Sequence, residues 1–215
     1  MSCLLCFSKE SLSRDELKGK YGVAYEPFIN NENLFQVTLC NAPSAEPCCW
    51  LSSMICLCPA QILMRHRVLN HVEPGSGWKN YICCQGYYGG CCCLQPGNLC
   101  EQQCPLPCMC LEACCCPGAA VSANSMVIRE QYALGLDEDD VRLIRFNNCL
   151  FCCAICLSCI SQMTDCEADD TLAAVVNMIA DIVFCCTSGC MTAQMHHEMK
   201  VRDQNSSPTR ETMVR

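Results

Sequence analysis

Cysteine occupies 28 of 215 positions, and it falls in blocks: Cys83-Cys84, Cys91-Cys92-Cys93, Cys114-Cys115-Cys116, Cys152-Cys153 and Cys185-Cys186. Adjacent cysteines bridge each other poorly, so a ladder of disulfides is a poor solution for such a chain. A composition this rich in cysteine ordinarily marks a short secreted disulfide scaffold. Here residues Met1 to Glu10 carry neither a basic n-region nor an apolar run of signal-peptide length. The expectation is no secretory signal peptide and a reducing compartment, where disulfides are rare. Three fates then remain for the thiols: metal ligation, lipid attachment, or burial as small hydrophobes.

The formal charge of −8 opposes a nucleic-acid surface, which needs clustered Lys and Arg. Hydrophobic residues make up 51 % and charged residues only 17 %, below the quarter or so of a soluble domain. That composition lies between a compact soluble protein and a membrane protein. Along the chain, residues 1–45 read as a polar leader with turn-prone stretches at Asn30-Asn31-Glu32-Asn33 and Asn41-Ala42-Pro43-Ser44. A cysteine-rich body follows over 46–200. The tail, 201–215, lacks apolar periodicity and is expected to be disordered.

Within the body, Leu51 to Val68 is helix-prone, with Pro59 expected to break or kink it. His71 to Trp78 reads as a turn, Gly86 to Gly97 as a Gly- and Cys-rich loop, and Cys104-Pro105-Leu106-Pro107-Cys108 as non-helical. A helix is expected from Ala119 to Leu134, closed by Gly135 at C′. A second is announced by Asp137-Glu138-Asp139-Asp140, acids suited to a helix N-terminus, and runs to Met163. A third follows Asp165, Glu167, Asp169 and Asp170 and runs from Thr171 to Lys200, with a weak point at Gly189. The fold class is therefore mainly α: a small cysteine-rich helical domain with a loop-rich N-terminal half and a helical C-terminal half.

That C-terminal half raises the question of a membrane. Phe146 to Met163 and Leu172 to Met195 approach the ~20 apolar residues of a spanning helix, and the short acidic link between them suits a hairpin. The alternative is a pair of core helices in a soluble bundle. Asn177 and Asp181 share one helix face with Cys185, while His197 and Glu198 lie further along. In lipid such groups would serve an ion path or face a partner helix.

The Pro-marked loops hold the clearest candidate thiolate ligands, Cys56 and Cys58 beside Pro59, and Cys104, Cys108 and Cys110 around Pro105 and Pro107. The CxxC spacings from Cys149 to Cys159 fall inside a helical stretch, where packing competes with metal binding. His66 and His71 lack a zinc-finger context. Cys3 and Cys6 are candidate lipidation sites, although Ser2 excludes myristoylation and one acyl chain alone anchors weakly. No phosphate loop, GxSxG or HExxH is present, so no enzyme is expected.

Trp50, then Cys56-Leu57-Cys58-Pro59, and finally Cys185-Cys186-Thr187-Ser188-Gly189-Cys190 leading to Gln194-Met195-His196-His197-Glu198-Met199 form a pattern. It resembles the placenta-specific 8 family, which includes cornifelin and plant cell-number-regulator and cadmium-resistance proteins. Ala60 stands where the family's Cys-Pro-Cys element has its second cysteine, Ala193 replaces a late cysteine, and His197 stands for an arginine. Ala119 to Asp170 looks like an insertion. The resemblance implies a membrane-associated, non-catalytic protein, integral or on the cytoplasmic face, with Cys185, Cys186 and Cys190 joining Cys56 and Cys58 as soft ligands.

Two functions of different class follow. One is a membrane-associated protein that binds or helps transport divalent heavy metals. The other is a soluble structural or protein-interaction module stapled by zinc-thiolate sites, with protein partners or self-association in either case. A third reading, a disulfide-rich protein of an oxidising compartment, has less in its favour.

Overall fold

The computed structural model describes residues 23–88, 96–97, 100–163 and 167–206. Among these, seven α-helices follow a 3₁₀ turn at Val23–Phe28: α1 (Ala42–Ala45), α2 (Pro47–Ile55), α3 (Leu57–Val72), α4 (Pro105–Cys115), α5 (Pro117–Tyr132), α6 (Glu138–Met163) and α7 (Glu167–Ser206). The mainly helical, cysteine-rich character expected from the sequence is what the structure has.

Proline starts helices here and does not break them. Pro47, Pro105 and Pro117 each open a helix, and Pro59 sits in the first turn of α3. The first four N–H groups of a helix have no intrahelical partner, so proline costs nothing there. Two expectations are corrected accordingly. Cys104 to Cys108 is not a loop but the cap and first turn of α4, and the break near Pro59 falls earlier, at Cys56.

Helix α7 is the spine. Its C-terminal part packs along α2 and also meets α1, α3 and α5. Contact with α2 is close at Gly189, where a Cβ would lie 2.9 Å from Met54 Cγ and 3.1 Å from the Trp50 carbonyl oxygen. The glycine expected as a weak point is thus a site of close approach. Met195 and Met199 of α7 join Met64 and Val68 of α3, Ile128 of α5, and Phe35 in one buried cluster. A second cluster sets Tyr25 and Phe28 against Ala119, Ala123 and Met126 of α5 and Val141 of α6. Residues of the polar leader therefore supply core side chains. The expected tail begins as helix, because α7 continues to Ser206 with Arg202 over the Tyr132 ring at 4.5 Å.

Helix α5 ends two residues before its expected close. Ala133 takes the left-handed conformation (φ 50°, ψ 47°) that was assigned to Gly135. Gly135 is instead required by packing, since its α-carbon faces the Asn31 carbonyl too closely for any side chain.

The start of α6 is as the acids foretell. Asp137 Oδ1 accepts from the Asp140 N–H at 2.8 Å, and Asp140 Oδ2 accepts from the Asp137 N–H at 3.1 Å. Burial, followed by the negative charge of Asp140, raises Asp137 from 3.8 to about 6. A carboxyl raised on folding costs nothing below pH ~4, where it is protonated in both states, and its full penalty appears above pH ~6. Asp137→Asn keeps the capping oxygen without the charge. The variant is expected to gain about 1–2 kcal/mol at pH 7 and nothing below pH 4, measured by urea unfolding across pH.

Beyond Arg145, α6 and the first half of α7 leave the body as a pair. On α7 there, Val175, Met178, Ile179 and Ile182 are exposed, while Val176 and Val183 are half-buried. Cys153, Cys156 and Cys159 are exposed on α6. By length and composition, Ala174–Asn205 holds an 18-residue window apolar enough to cross a membrane, at a mean hydropathy of 1.7. Its C-terminal half is committed to the body, however, where Ser188, Thr192, Gln194 and Glu198 are buried.

Candidate metal centre

Arg65 on α3 and Glu112 on α4 are both fully buried, and Arg65 Nη2 lies 2.7 Å from Glu112 Oε1. Nη2 also donates at 3.3 Å to the Ala120 carbonyl, Nε donates to Asn124 Oδ1, and Nη1 has no hydrogen-bond partner. Asn124 donates in turn to Gln61 at 3.0 Å, and Gln61 to Thr192 at 2.9 Å. Helices α3, α4, α5 and α7 are thereby joined through one buried polar chain.

On the other side of Glu112, Oε2 accepts from Tyr81 OH at 2.9 Å and from the Cys84 N–H at 2.8 Å. The turn Cys83–Gly86 is held against the carboxylate by these bonds, with Cys84 and Gln85 both at left-handed φ (49° and 48°). Glu101 fixes its start, accepting from the N–H groups of Cys83 at 2.9 Å and Gly97 at 2.8 Å. Gln85 braces the turn by accepting from the Ile82 N–H at 2.8 Å.

This turn brings both thiols of a vicinal pair to Glu112. One ligand atom from each of Cys83, Cys84 and Glu112 lies within 4.8 Å of the others, and all three residues are buried. The sulfurs are 4.0 Å apart. Two thiolates on a tetrahedral zinc ion, with Zn–S near 2.3 Å, span about 3.8 Å, so the pair has the required bite almost without movement. Either thiol can donate to the other. Once Cys83 ionises, donation from Cys84 holds it below the ordinary thiol range, while that bond and burial push Cys84 above it.

Charge also fits an ion. With both thiols protonated, Glu112 and Arg65 cancel. A divalent ion replacing two thiol protons leaves the sum over ion, thiolates, carboxylate and guanidinium unchanged. Burying a lone charge is costly, and this exchange avoids it.

The thiols singled out from sequence lie elsewhere. Cys56 is exposed at the α2–α3 break, and half-buried Cys58 contacts the thiol of Cys114. Cys104 is exposed, Cys108 buried and Cys110 half-buried on or before α4. Cys185, Cys186 and Cys190 are half-buried on α7. No three of these eight meet within 4.8 Å. Of the polar α7 residues, Asp181 is exposed, while His197 lies 3.3 Å from Glu46 and buried Glu198 is held by the Gln36 N–H at 2.8 Å and Arg202 at 2.9 Å. Asn177 shares the helix, its side chain being outside the described set. From Asp181 to Glu198 is roughly 25 Å along the axis, so these groups do not form one cluster. Cys3 and Cys6 lie outside the described residues. Cys116, at the α4–α5 junction, is disulfide-bonded.

Sequence reasoning missed Cys83, Cys84 and Glu112 as a set. One signal was available: Glu112 is the lone charge between Pro105 and Ser125, where a solvated face would carry several. Compared with known proteins, the chain matches no family model, no curated sequence and no solved structure.

Proposed function

We propose that this is a membrane-anchored metal-binding protein, in which the helical body retains one divalent ion at Cys83, Cys84 and Glu112 and the α6–α7 hairpin inserts in the bilayer. The observation that carries the reading is the buried thiol pair set at zinc-like spacing against a carboxylate whose charge is already balanced. Zinc is the expected ion, and cadmium competes through its preference for sulfur.

Burial of all three ligands favours holding an ion over conducting one, and the fourth position of a tetrahedral ion is left to water or another small ligand. The transport role weighed from sequence therefore recedes, and the zinc staple of the rival reading is adopted here within an anchored protein. The hairpin supports the anchor. From Glu167 to Thr187 it is about 30 Å long, close to the hydrocarbon thickness of a bilayer. Its far end carries Glu167, Asp169 and Asp170, which would emerge on the opposite surface. Asp181 lies about 10 Å from the body, near enough to reach the polar interface.

Metal titration of the purified full chain tests the centre. One equivalent of zinc or cadmium should bind most tightly, releasing about two protons, so that affinity rises with pH. Calorimetry in buffers of different ionisation enthalpy reads the proton count. Cys83→Ser/Cys84→Ser should remove this equivalent, and Cys56→Ser/Cys58→Ser should leave it. Equal metal content in the two double variants would refute the centre.

A further inference from the structure

All four histidines of the chain, His66, His71, His196 and His197, lie on α3 and α7. Three of them, with Arg67 and Lys200, line an open cavity of about 730 Å³ between those helices. We infer that this groove is a second binding site, for a soluble phosphate-bearing anion, independent of the metal centre and of its test.

The charge is local and runs against that of the chain. At −8 overall, the protein has no general attraction for anions, yet the groove gathers two permanent cations and three imidazoles against one lining carboxylate, Asp203. Arg67 is exposed and makes no ion pair among the described residues, so its five donors are available to a phosphate. Lys200 Nζ is held at 2.8 Å by Glu46, which also takes His197 at 3.3 Å and His196 at 3.5 Å. Glu46 thereby positions the α7 cations from the α2 end. On the other wall, His71 is oriented from both sides, by Tyr132 OH at 2.6 Å and Asp203 Oδ1 at 3.2 Å. His66 is braced by Asn70, and its ring lies 5.1 Å from that of Trp78 at a tilt of 46°. The cavity has the size of a small-molecule site.

Position separates a soluble phosphate from a lipid headgroup. Lys200 lies 13 residues beyond Thr187, where α7 enters the body, which is roughly 20 Å along the helix. A bilayer holding the hairpin does not reach the groove. The ligand class is therefore a free phosphate ester or diphosphate.

The probe is inorganic pyrophosphate, titrated into the full-length protein with the ring resonances of the four histidines as reporter. His66, His71 and His196 should shift saturably. Arg67→Gln should weaken binding at least tenfold with an unchanged melting temperature. Vesicles containing a phosphoinositide should compete poorly. No saturable shift, wild-type affinity in Arg67→Gln, or binding only to the vesicles would each overturn the assignment.

Discussion

Glu112→Ala is expected to destabilise the fold by about 3–5 kcal/mol, among the largest effects of any single substitution in the body. The cause is what the carboxylate leaves behind. Arg65 is fully buried and one of its nitrogens already lacks a partner, so without Glu112 a guanidinium charge stands uncompensated in the core. Tyr81 OH and the Cys84 N–H lose their acceptor as well. The turn at Cys83–Gly86, with two consecutive residues at left-handed φ, then has nothing to hold it against α4. Urea unfolding measures the loss, and a change under 1 kcal/mol would refute the network. Arg65→Met/Glu112→Leu separates charge from packing. Replacing both partners should recover much of the stability, since a buried pair contributes little over an apolar match of similar volume. That double variant should still lose the tightly bound metal, because the third ligand is gone.

The parts of this architecture that were legible in the sequence are those fixed locally. Asp137 and Asp140 cap α6 through bonds that span three residues, so the acidic run marks the helix start without tertiary information. Proline misled because its meaning depends on position within a helix. Pro105 and Pro107 read as loop until Cys104 is seen to cap α4. Glycine misled similarly: Gly135 and Gly189 suggest a cap and a weak point, whereas each answers to backbone brought from more than 100 residues away. The metal centre was illegible for the same reason. Arg65 and Glu112 are 47 residues apart and Glu112 meets Cys84 across 28, so chain spacing carries no trace of the cluster. Charge was the exception. A single acid in a cysteine-rich helix requires a partner, and the sequence shows that need without showing who meets it.

Lysine at Val175 and Ile179 should remove the protein from membranes. The two positions lie on the exposed stripe of α7, roughly 18 Å and 12 Å from where the helix joins the body, so both fall in hydrocarbon if the hairpin inserts. Each lysine near mid-bilayer costs about 2.5–3.5 kcal/mol, and the pair about 5–7 kcal/mol. Wild-type protein is expected to resist alkaline carbonate extraction, and Val175→Lys/Ile179→Lys to be released. Because neither residue touches the buried network, the released variant should keep its metal equivalent and its unfolding midpoint. The same stripe could instead be covered by a second copy of the chain in water, since an apolar surface of this kind calls for some cover. In that event the wild type would be carbonate-extractable and dimeric by light scattering, and the lysines would make it monomeric without any change in fractionation. The anchor predicts the opposite pair of results, an integral wild type and a soluble variant, so a single fractionation with scattering on the released material decides between lipid and protein as what covers the hairpin.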